Sequence, residues 1–368
     1  MRIGFDAKRF FENKTGLGSF SRVLINSLVK DYPQHDYYLY TPIKPSVEHI
    51  DKYLDMSNIK IRYPKKTNKN YWRTRGILKE LTADKIDIYH GLSNELPFGI
   101  HKTDIKTVVT IHDLLFKQFP EDYRLIDRMI YDWKSKYACQ KADVTVAISK
   151  ITREMIIDCF SLSEAKVAVI HQDIDSMFYQ APNPSFQESI IKDHNIPKDY
   201  ILFVGNDSHR KNLITVIRSL IHLKEKRNLV LVLNRKEVNE KINTIILNHN
   251  LNDQIHTLVN IPVHHLKVLY TRAKCLVYPS LGEGWGLPVE EALACNTHAL
   301  VPNENPFVER PSSGKIFLKD PEDPIEMANK IESISAKNPN NFKSNRIFGN
   351  SHAEYHHIYE NIQIGISD

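Results

Sequence analysis

The second half of the chain contains the run Tyr278-Pro-Ser-Leu-Gly-Glu-Gly-Trp-Gly-Leu-Pro-Val-Glu-Glu-Ala-Leu-Ala-Cys-Asn296. An apolar segment over residues 273–278 predicts a buried strand, and Pro288 is typical of the first turn of a helix. Three glycines between them let the backbone turn sharply or approach a ligand closely. Asn296 can adopt the left-handed conformation that ends a helix. The run therefore predicts a strand, a ligand-binding loop and a helix in succession.

Two carboxylates flank this predicted loop. Glu283 lies within it, and Glu291 lies about one turn into the predicted helix. Free backbone N–H groups at a helix start attract anions, and a carboxylate can accept both hydroxyls of a ribose. These properties favour a nucleotide site in which Glu291 binds ribose and Glu283 binds a sugar hydroxyl. The alternatives are electrostatic stabilisation of the helix start and a glycosidase pair of carboxylates.

The composition is that of a soluble globular protein with room for two domains. The 368 residues are 42% hydrophobic and 25% charged, with a formal net charge of +5. Four cysteines without a Cys-x-x-Cys pair argue against a disulfide framework or a zinc site and favour a reducing compartment. The first residues do not resemble a signal peptide, and no apolar run approaches the roughly 20 residues of a membrane span. We therefore expect a cytoplasmic protein.

Short apolar runs alternate with amphipathic segments along the whole chain. The predicted strands cover residues 3–5, 37–40, 86–90, 108–111 and 144–148 in the first half, and 200–204, 229–233, 255–259, 275–278 and 299–301 in the second. This alternation predicts an α/β protein with two doubly wound domains. Prolines between residues 182 and 197 place the boundary near residue 180, which gives domains 1–180 and 181–350. A last amphipathic helix over residues 351–362 could pack on either domain, and we assign the segment 351–368 as one that could pack back on the first.

Ligands of open α/β sheets bind beyond the carboxyl ends of the strands, so residues that follow strands are candidates for a site. Gly16 and Gly18 follow the first strand and could let backbone N–H groups approach an anion, although a tight strand-to-helix turn explains them equally well. The third glycine of a dinucleotide-binding fingerprint is missing. Gly205, Arg210 and Lys211 follow the strand 200–204, where the two cations could hold a diphosphate. A solvated charge pair is the alternative.

His112 occupies the same kind of position after the strand 108–111. A histidine at the exit of a buried strand can donate a hydrogen bond to a sugar hydroxyl or to a developing charge. A turn capped by Asp113 would explain the His112-Asp113 pair equally well. In the functional interpretation, His112 is a candidate catalytic residue.

A basic and aromatic segment covers residues 60–75. Such a composition could contact an anionic membrane surface or hold a pyrophosphate-linked acceptor. Nucleic acid is a further partner of such segments, and a solvated connection is the simplest interpretation. The candidate acceptor or membrane residues are Lys65, Lys66, Tyr71, Trp72 and Arg73. Although nucleic acid is a possible partner of such a segment, we expect none for this protein.

Together, these motifs resemble those of the family 4 glycosyltransferases over nearly the whole chain. The matching stretches are Arg2–Lys8 with Gly16–Gly18, Thr110–Leu114, Ile201–Gly205 with Arg210–Asn212, and the E-x7-E element Glu283–Glu291. The resemblance implies the GT-B architecture, in which two Rossmann-like domains face a central cleft. The first domain would then serve the acceptor, and the second would bind the nucleotide-sugar donor.

The resemblance also implies roles for individual residues. Arg210 and Lys211 would bind the donor diphosphate, Glu291 the ribose, and Glu283 the region of the transferred sugar. His112 would lie near the anomeric carbon. The remaining donor contacts implied by the family motifs are Gly16 and Gly18, which would close over the phosphates, with Gly205, Ile261, Gly284, Trp285, Gly286 and Leu287.

The implied reaction moves a hexose, with mannose as one candidate, from a nucleoside diphosphate sugar to a glycan or lipid-linked glycan with retention at the anomeric carbon. Such a peripheral membrane enzyme would build a cell-surface polysaccharide or lipopolysaccharide at the inner face of the plasma membrane, and no metal or other cofactor is expected. A nucleotide-sugar 2-epimerase or a phosphorylase of the same fold is one alternative. A nucleotide-sugar-binding protein without catalysis is another, because Asn206 stands where many relatives have an arginine. Residues 303–315 diverge where donor-sugar contacts often lie, which leaves the sugar open.

Overall fold

The computed structural model describes residues 1–13, 15–45, 56–64, 68–334 and 350–365, in two compact units. The first unit runs from Met1 to Ile174 and includes the C-terminal helix, and the second unit begins at Asp175. The predicted boundary at residue 180 lies a few residues after this division. Phe178 already packs against Tyr270 of the second unit, whereas the prolines that suggested the boundary mark only an interruption of regular structure.

Within the described residues, the first unit contains a parallel sheet of seven strands. In chain order they are β1 (Arg2–Asp6), β2 (Asp36–Tyr40), β3 (Ile59–Arg62), β4 (Ile88–Gly91), β5 (Lys106–Ile111), β6 (Val144–Ala147) and β7 (Val167–Val169). Their spatial order is β3-β2-β1-β4-β5-β6-β7. Tyr37 and Leu39 of β2 belong to one hydrophobic cluster, and Tyr38 and Tyr40 belong to another. Both faces are therefore covered, which explains the continuous apolar runs of the central strands.

The helices of this unit are α1 (Lys8–Glu12), α2 (Gly16–Asp31), α3 (Lys69–Tyr71), α4 (Ile77–Ala83), α5 (Leu115–Gln118), α6 (Leu125–Lys141), α7 (Lys150–Phe160) and the C-terminal α14 (Ser351–Ile364). A π-helical turn, Trp72–Gly76, connects α3 to α4. None of the helices in the described ranges has both the length and the apolar character needed to cross a membrane.

The second unit contains a parallel sheet of six strands in the described part of the chain. The strands are β8 (Tyr200–Val204), β9 (Asn228–Leu233), β10 (Ile255–Val259), β11 (Cys275–Val277), β12 (His298–Pro302) and β13 (Lys315–Leu318), in the spatial order β10-β9-β8-β11-β12-β13. Its helices are α8 (Pro184–Asp193), α9 (Leu213–Ser219), α10 (Glu240–Asn248), α11 (Val263–Arg272), α12 (Leu287–Ala294) and α13 (Pro324–Ser333). The strand order reverses between β8 and β11, as it does between β1 and β4 in the first unit. Such reversal points are where open α/β sheets bind ligands.

Two doubly wound α/β units confirm the predicted fold class, and the structure adds strands that the sequence analysis missed. The missed strands β3, β7 and β13 all lie at sheet edges. Edge strands are less completely covered, so charged residues interrupt their apolar runs, as in Ile-Lys-Ile-Arg of β3 and Lys-Ile-Phe-Leu of β13, whereas β7 is only the three residues Val-Ala-Val and too short to stand out. A search for continuous apolar runs therefore finds the central strands more readily than the edges.

Helix α14 completes the core of the first unit from the far end of the chain. Its Tyr355 and Tyr359 side chains are fully buried. The hydroxyl of Tyr359 lies 2.7 Å from His90 Nδ1, and Thr110 Oγ1 lies 2.8 Å from His90 Nε2 and 2.9 Å from the hydroxyl of Tyr355. Burial lowers the pKa of His90 to about 3, so this neutral histidine holds the helix in place.

We expect Tyr359→Phe to lower the free energy of unfolding of the first unit by about 1–3 kcal/mol, because His90 Nδ1 would lose its partner in a buried site. Urea denaturation followed by circular dichroism measures this change. Tyr71→Phe is the matched control, because that side chain is 57% exposed. Equal stability of the two variants would contradict the proposed role of the buried hydroxyl.

Candidate functional site

The loops that follow β8 and β11 lie side by side at the carboxyl edge of the second sheet. The two strands are neighbours, with Leu276 paired to Leu202, and the backbone N–H of Leu281 donates to the carbonyl of Arg210 at 2.8 Å. The structure thus brings the predicted Arg210–Lys211 pair and the glycine loop to the point where the strand order reverses. Parallel strands that exit next to each other place the two loops there.

Glu283 lies at the centre of this site. Its Oε1 atom accepts hydrogen bonds from four side chains: Arg210 Nη1 at 2.9 Å, Ser280 Oγ at 2.6 Å, the hydroxyl of Tyr278 at 3.1 Å, and Lys211 Nζ. Burial alone would raise the pKa of Glu283, but the charges of Lys211 and Arg210 outweigh it and lower that pKa to about 2. Glu283 is therefore a carboxylate at all physiological pH values.

This arrangement places two cations around one carboxylate in a site where little water reaches them. The side chains of Arg210, Lys211 and Glu283 are only 10–12% exposed. Arg210 Nη1 also donates to the carbonyl of Gly282 at 2.6 Å, and the ammonium of Lys211 lies 4.6 Å from the centre of the Tyr278 ring. Two cations and one carboxylate give the trio a net charge of +1 (2 − 1), so the site favours an anion.

The loop after β8 contains two further features that suit a ligand. A Cβ atom added at Gly205 would meet its nearest neighbour, the Phe203 ring, at 3.4 Å, which is ordinary contact, so the fold itself does not require glycine there. Within the described residues, Ser208 Oγ is buried and has no hydrogen-bond partner. A buried hydroxyl usually has a partner, and an anionic oxygen held by Arg210 and Lys211 would supply one.

Glu291 lies in α12, the helix that follows this loop, and its environment differs from that of Glu283. Its Oε2 atom accepts a hydrogen bond of 2.9 Å from the hydroxyl of Tyr270. Burial raises the pKa of Glu291 to about 7, and the negative charge of Asp175 acts in the same direction. This carboxyl group therefore changes its charge near neutral pH.

The neighbouring acid, Glu290, has a structural role. It is buried, and its Oε1 atom accepts a hydrogen bond of 3.0 Å from Lys315 Nζ, which also donates to the carbonyls of Phe307 and Arg310. This buried pair fixes the segment between β12 and β13 to the start of α12. Gly286 depends on the same segment, because its φ is +89° and an added Cβ would lie 2.8 Å from the Phe307 ring.

The remaining residues of the predicted donor loop have the following positions. Gly284 lies in the loop, Trp285 is buried beneath the guanidinium of Arg310 at 5.9 Å, and Leu287 is the first residue of α12. Asn296 has the predicted left-handed conformation, with φ of +56°. Ile261 is half-buried after β10, two strands from β8 in the sheet and therefore about 10 Å away.

In the first unit, His112 follows β5 and is buried with both ring nitrogens bonded. Nε2 donates to the carbonyl of Leu92 at 2.8 Å, so Nδ1 carries no proton and accepts from Gln172 Nε2 at 2.7 Å. Burial lowers the pKa of His112 to about 4. The ring is therefore a neutral, fixed group, and its N–H is directed at a carbonyl of the protein.

Gly16 and Gly18 have a packing role at the start of a helix. Both lie in the first turn of α2, and α1 separates this helix from β1. A Cβ added at Gly18 would lie 1.8 Å from the carbonyl oxygen of Asn13, so that glycine is needed for close packing of the backbone. The Asn13 side chain also accepts hydrogen bonds from the N–H groups of Thr15 and Gly18. These glycines therefore form a capped helix start.

Two residues of the predicted acceptor or membrane segment, Trp72 and Arg73, lie inside the first unit. Trp72 is 2% exposed and its Nε1 donates to Glu80, while Arg73 forms ion pairs with Asp6 at 2.6 Å and Glu95 at 2.9 Å. Neither side chain is available to a membrane surface, because both are bonded inside the unit. Tyr71 is exposed. Lys65 and Lys66 lie outside the described residues.

Three residues that contribute to the second-unit site were given no role by the sequence analysis: Tyr270, Tyr278 and Ser280. Tyr278 and Ser280 directly follow β11, so the rule that ligand groups follow parallel strands could have found them. Tyr270 lies on α11 and could not be found in this way, because only the packing of α11 against α12 brings its hydroxyl to Glu291.

Two family models match the chain. The model described as Glycosyltransferase Family 4 matches residues 15–176, and the model described as Glycosyl transferases group 1 matches residues 186–351. O-antigen chain mannosyltransferase RfbU of Salmonella typhimurium is 24% identical over 227 residues, which are 61% of this chain and 60% of that protein. The chain therefore spans less than two thirds of the length of this relative.

Solved structures show the same fold. The sucrose-phosphate synthase of Thermosynechococcus elongatus has a TM-score of 0.72 at 14% identity, with 99% of this chain and 100% of that chain covered. HepE of Anabaena, solved with UDP and glucose, has a TM-score of 0.66 at 14% identity, with 90% and 89% covered. Two doubly wound parallel sheets with these likenesses define the GT-B fold class. With both family models matched, the chain belongs to the family 4 glycosyltransferases.

Replacing Glu283 by glutamine should lower the stability of the second unit by about 3 kcal/mol, because Arg210 and Lys211 would remain buried without a counter-charge. The loss should be largest above pH 4.5, the ordinary pKa of glutamate, and should shrink as the pH falls toward about 2, where Glu283 itself becomes neutral. Chemical denaturation at several pH values measures both effects.

The matched control is Glu188→Gln, which removes an ion pair to Arg272 from a side chain that is 68% exposed. An exposed pair contributes little, so this variant should stay within about 0.5 kcal/mol of the wild type. A loss for Glu283→Gln that did not depend on pH would show that packing, not charge, explains it.

Proposed function

We propose that the protein is a retaining glycosyltransferase that takes a hexose from a nucleoside diphosphate sugar and transfers it to a glycan or lipid-linked glycan acceptor. The observation that carries this proposal is the trio Arg210, Lys211 and Glu283 at the reversal point of the second sheet. Family membership supports this class of reaction, and the trio would supply the charge that a donor diphosphate requires.

The diphosphate is proposed to bind beside Arg210 and Lys211. As the bond to the sugar breaks, negative charge develops on the departing phosphate, and fixed cations in a water-poor site stabilise that charge strongly. Glu283 already orients both cations in the free protein, so little reorganisation is needed when the donor arrives. We propose that these two side chains, with the buried Ser208 hydroxyl, act without a metal ion.

Glu291 is proposed to accept the hydroxyl groups of the ribose. The hydrogen bond from Tyr270 uses part of the capacity of Oε2, and a carboxylate offers lone pairs on both oxygens. The ionised form is the better acceptor, so ribose binding should favour loss of the proton from a group whose pKa is about 7. Ile261 and the loop 284–287 are proposed to complete the donor site on the strength of the resemblance.

Mannose is the proposed sugar, because RfbU is named an O-antigen chain mannosyltransferase. That name also supports a role in the synthesis of O-antigen or a related cell-surface polysaccharide. HepE was solved with UDP and glucose, so both the nucleotide base and the sugar of the donor have to be tested. A catalytic role for His112 is proposed on the resemblance alone. We also propose that the enzyme binds its acceptor at the cytoplasmic face of an anionic membrane.

The affinity for a nucleoside diphosphate sugar should fall about tenfold between pH 8 and pH 6, because protonation of a group with a pKa of about 7 removes the ionised acceptor for ribose. The diphosphate of such a donor does not titrate in this range, so the change reports on the protein. Isothermal titration calorimetry measures it. Glu291→Gln should bind weakly at both pH values, and a wild-type affinity that is independent of pH would contradict the role of Glu291.

The reaction itself is tested with a panel of GDP-, UDP- and dTDP-sugars. The donor that raises the melting temperature most should also be turned over with retention, in the presence of a chelator. Lys211→Ala and Arg210→Ala should each reduce turnover at least about a hundredfold, because each removes a fixed charge from the leaving phosphate. Lys224→Ala, whose side chain is 85% exposed in the same unit, is the control.

The same panel separates the other candidate activities. Inversion at C2 of the free donor would identify a 2-epimerase, and release of the sugar onto inorganic phosphate would identify a phosphorylase. Stabilisation by a donor without any turnover would identify a binding protein. Each of these outcomes would replace the transferase proposal.

A further inference from the structure

Helix α6 of the first unit presents a row of large apolar side chains to solvent. Five of them are between 42% and 71% exposed: Leu125, Ile126, Met129, Ile130 and Trp133. We call these five residues the α6 face. Single exposed apolar residues are normal on a protein, but a contiguous exposed patch marks an interaction surface.

The geometry of α6 explains why this face is free. Residues 125, 129 and 133 are four apart, and 126 and 130 lie beside them, so the five side chains occupy one side of the helix. Ser135, Ala138 and Cys139 are buried, and they lie on the opposite side, against the core. The helix therefore attaches to the unit with small side chains and exposes its large ones, the reverse of an ordinary surface helix.

The charges around the α6 face indicate what covers it. Residues 124–141 carry five basic and two acidic side chains, a net charge of +3 (5 − 2). Lys117 neutralises one of the two acids, Asp132, at a distance of 2.6 Å, and Glu95 neutralises one of the five cations, Lys134, at 3.0 Å. Apolar side chains bordered by cations match the surface of an anionic bilayer, where basic residues bind headgroups and apolar residues enter the interface.

Trp133 adds a second argument for lipid. Its ring stacks on Phe98, with ring centroids 4.4 Å apart, and still remains 58% exposed. Tryptophan favours the boundary between headgroups and acyl chains, because its ring is apolar and its N–H is polar. A protein partner is less well matched, because a standard protein interface uses roughly 20 or more residues on each side and excludes charge from its core.

We propose that the α6 face docks the first unit on an anionic lipid bilayer, with Leu125, Ile126, Met129 and Ile130 entering the interface beside Trp133. Of the proposed function, this inference depends only on the contact with a membrane. It assigns that contact to α6 instead of to the segment 60–75. Its test needs neither donor nor acceptor, so it can fail while the transferase reaction stands, and the reverse also holds.

The test uses the full chain and two kinds of vesicle, one containing phosphatidylglycerol and one made only of phosphatidylcholine. The wild type should sediment with the anionic vesicles and remain in solution with the neutral ones. Tryptophan emission should shift to shorter wavelength on binding. The other two tryptophans, Trp72 and Trp285, are 2% and 4% exposed, so the shift reports on Trp133 and should be absent from Trp133→Phe.

The decisive variant is Ile126→Asp with Met129→Asp, which places two charges in the α6 face. Its affinity for anionic vesicles should fall at least about tenfold, because binding scales with the apolar area that enters the interface. The matched control is Leu247→Asp with Ile325→Asp, two side chains of the second unit that are 55% and 53% exposed. The control should bind vesicles like the wild type, and unchanged thermal melting should show that both variants fold.

Three results would overturn the proposal. The first is equal vesicle binding by the wild type and the α6 variant. The second is equal binding of the wild type to anionic and neutral vesicles, which would remove the role of the cations. The third is a wild-type dimer that the α6 variant dissociates, in the absence of vesicle binding, which would assign the face to a second copy of the chain.

Discussion

The buried carboxylate of Glu283 holds together the two loops on which the second-unit site depends. It accepts hydrogen bonds from Arg210 and Lys211 of the loop after β8 and from Ser280 of its own loop. If the loops separated, two cations would be left without a counter-charge in a site with little water, which costs several kcal/mol. Arg210 and Lys211, which hold the free loops together, also carry the positive charge that a diphosphate needs. A bound diphosphate would therefore contact cations that Glu283 already positions.

The first unit depends on a different constraint, which is that its core is completed by the last described helix of the chain. Tyr355 and Tyr359 of α14 fill the space beside His90, and the strand-end histidine is thereby neutral and fully bonded. His112 is held in a similar way by Leu92 and Gln172. Strand-end histidines in this unit are thus positioned by burial and by fixed hydrogen bonds, and neither carries a charge at neutral pH.

The two segments rich in aromatic and basic residues show how packing decides what a composition means. In the segment 60–75, Trp72 and Arg73 turn inward, because Glu80, Asp6 and Glu95 are there to bond them. In α6, the small residues Ser135, Ala138 and Cys139 take the inward positions, so Trp133 and its apolar neighbours turn outward. Both segments combine basic residues with a tryptophan and tyrosines, and only the structure shows which of them offers a surface.

The sequence by itself determined the central strands, the glycine loop with its left-handed Asn296, and the clustering of Arg210, Lys211 and Glu283, because strand periodicity and the carboxyl-edge rule are local signals. It did not determine the edge strands β3, β7 and β13, the packing role of Gly18, or the different protonation of Glu283 and Glu291. Those properties depend on contacts that local patterns do not specify: the close approach of Asn13 to Gly18, Tyr270 on another helix, and two cations from the loop after β8. Burial and charge act through space, so tertiary structure alone decided that one glutamate stays ionised while the other titrates near neutral pH.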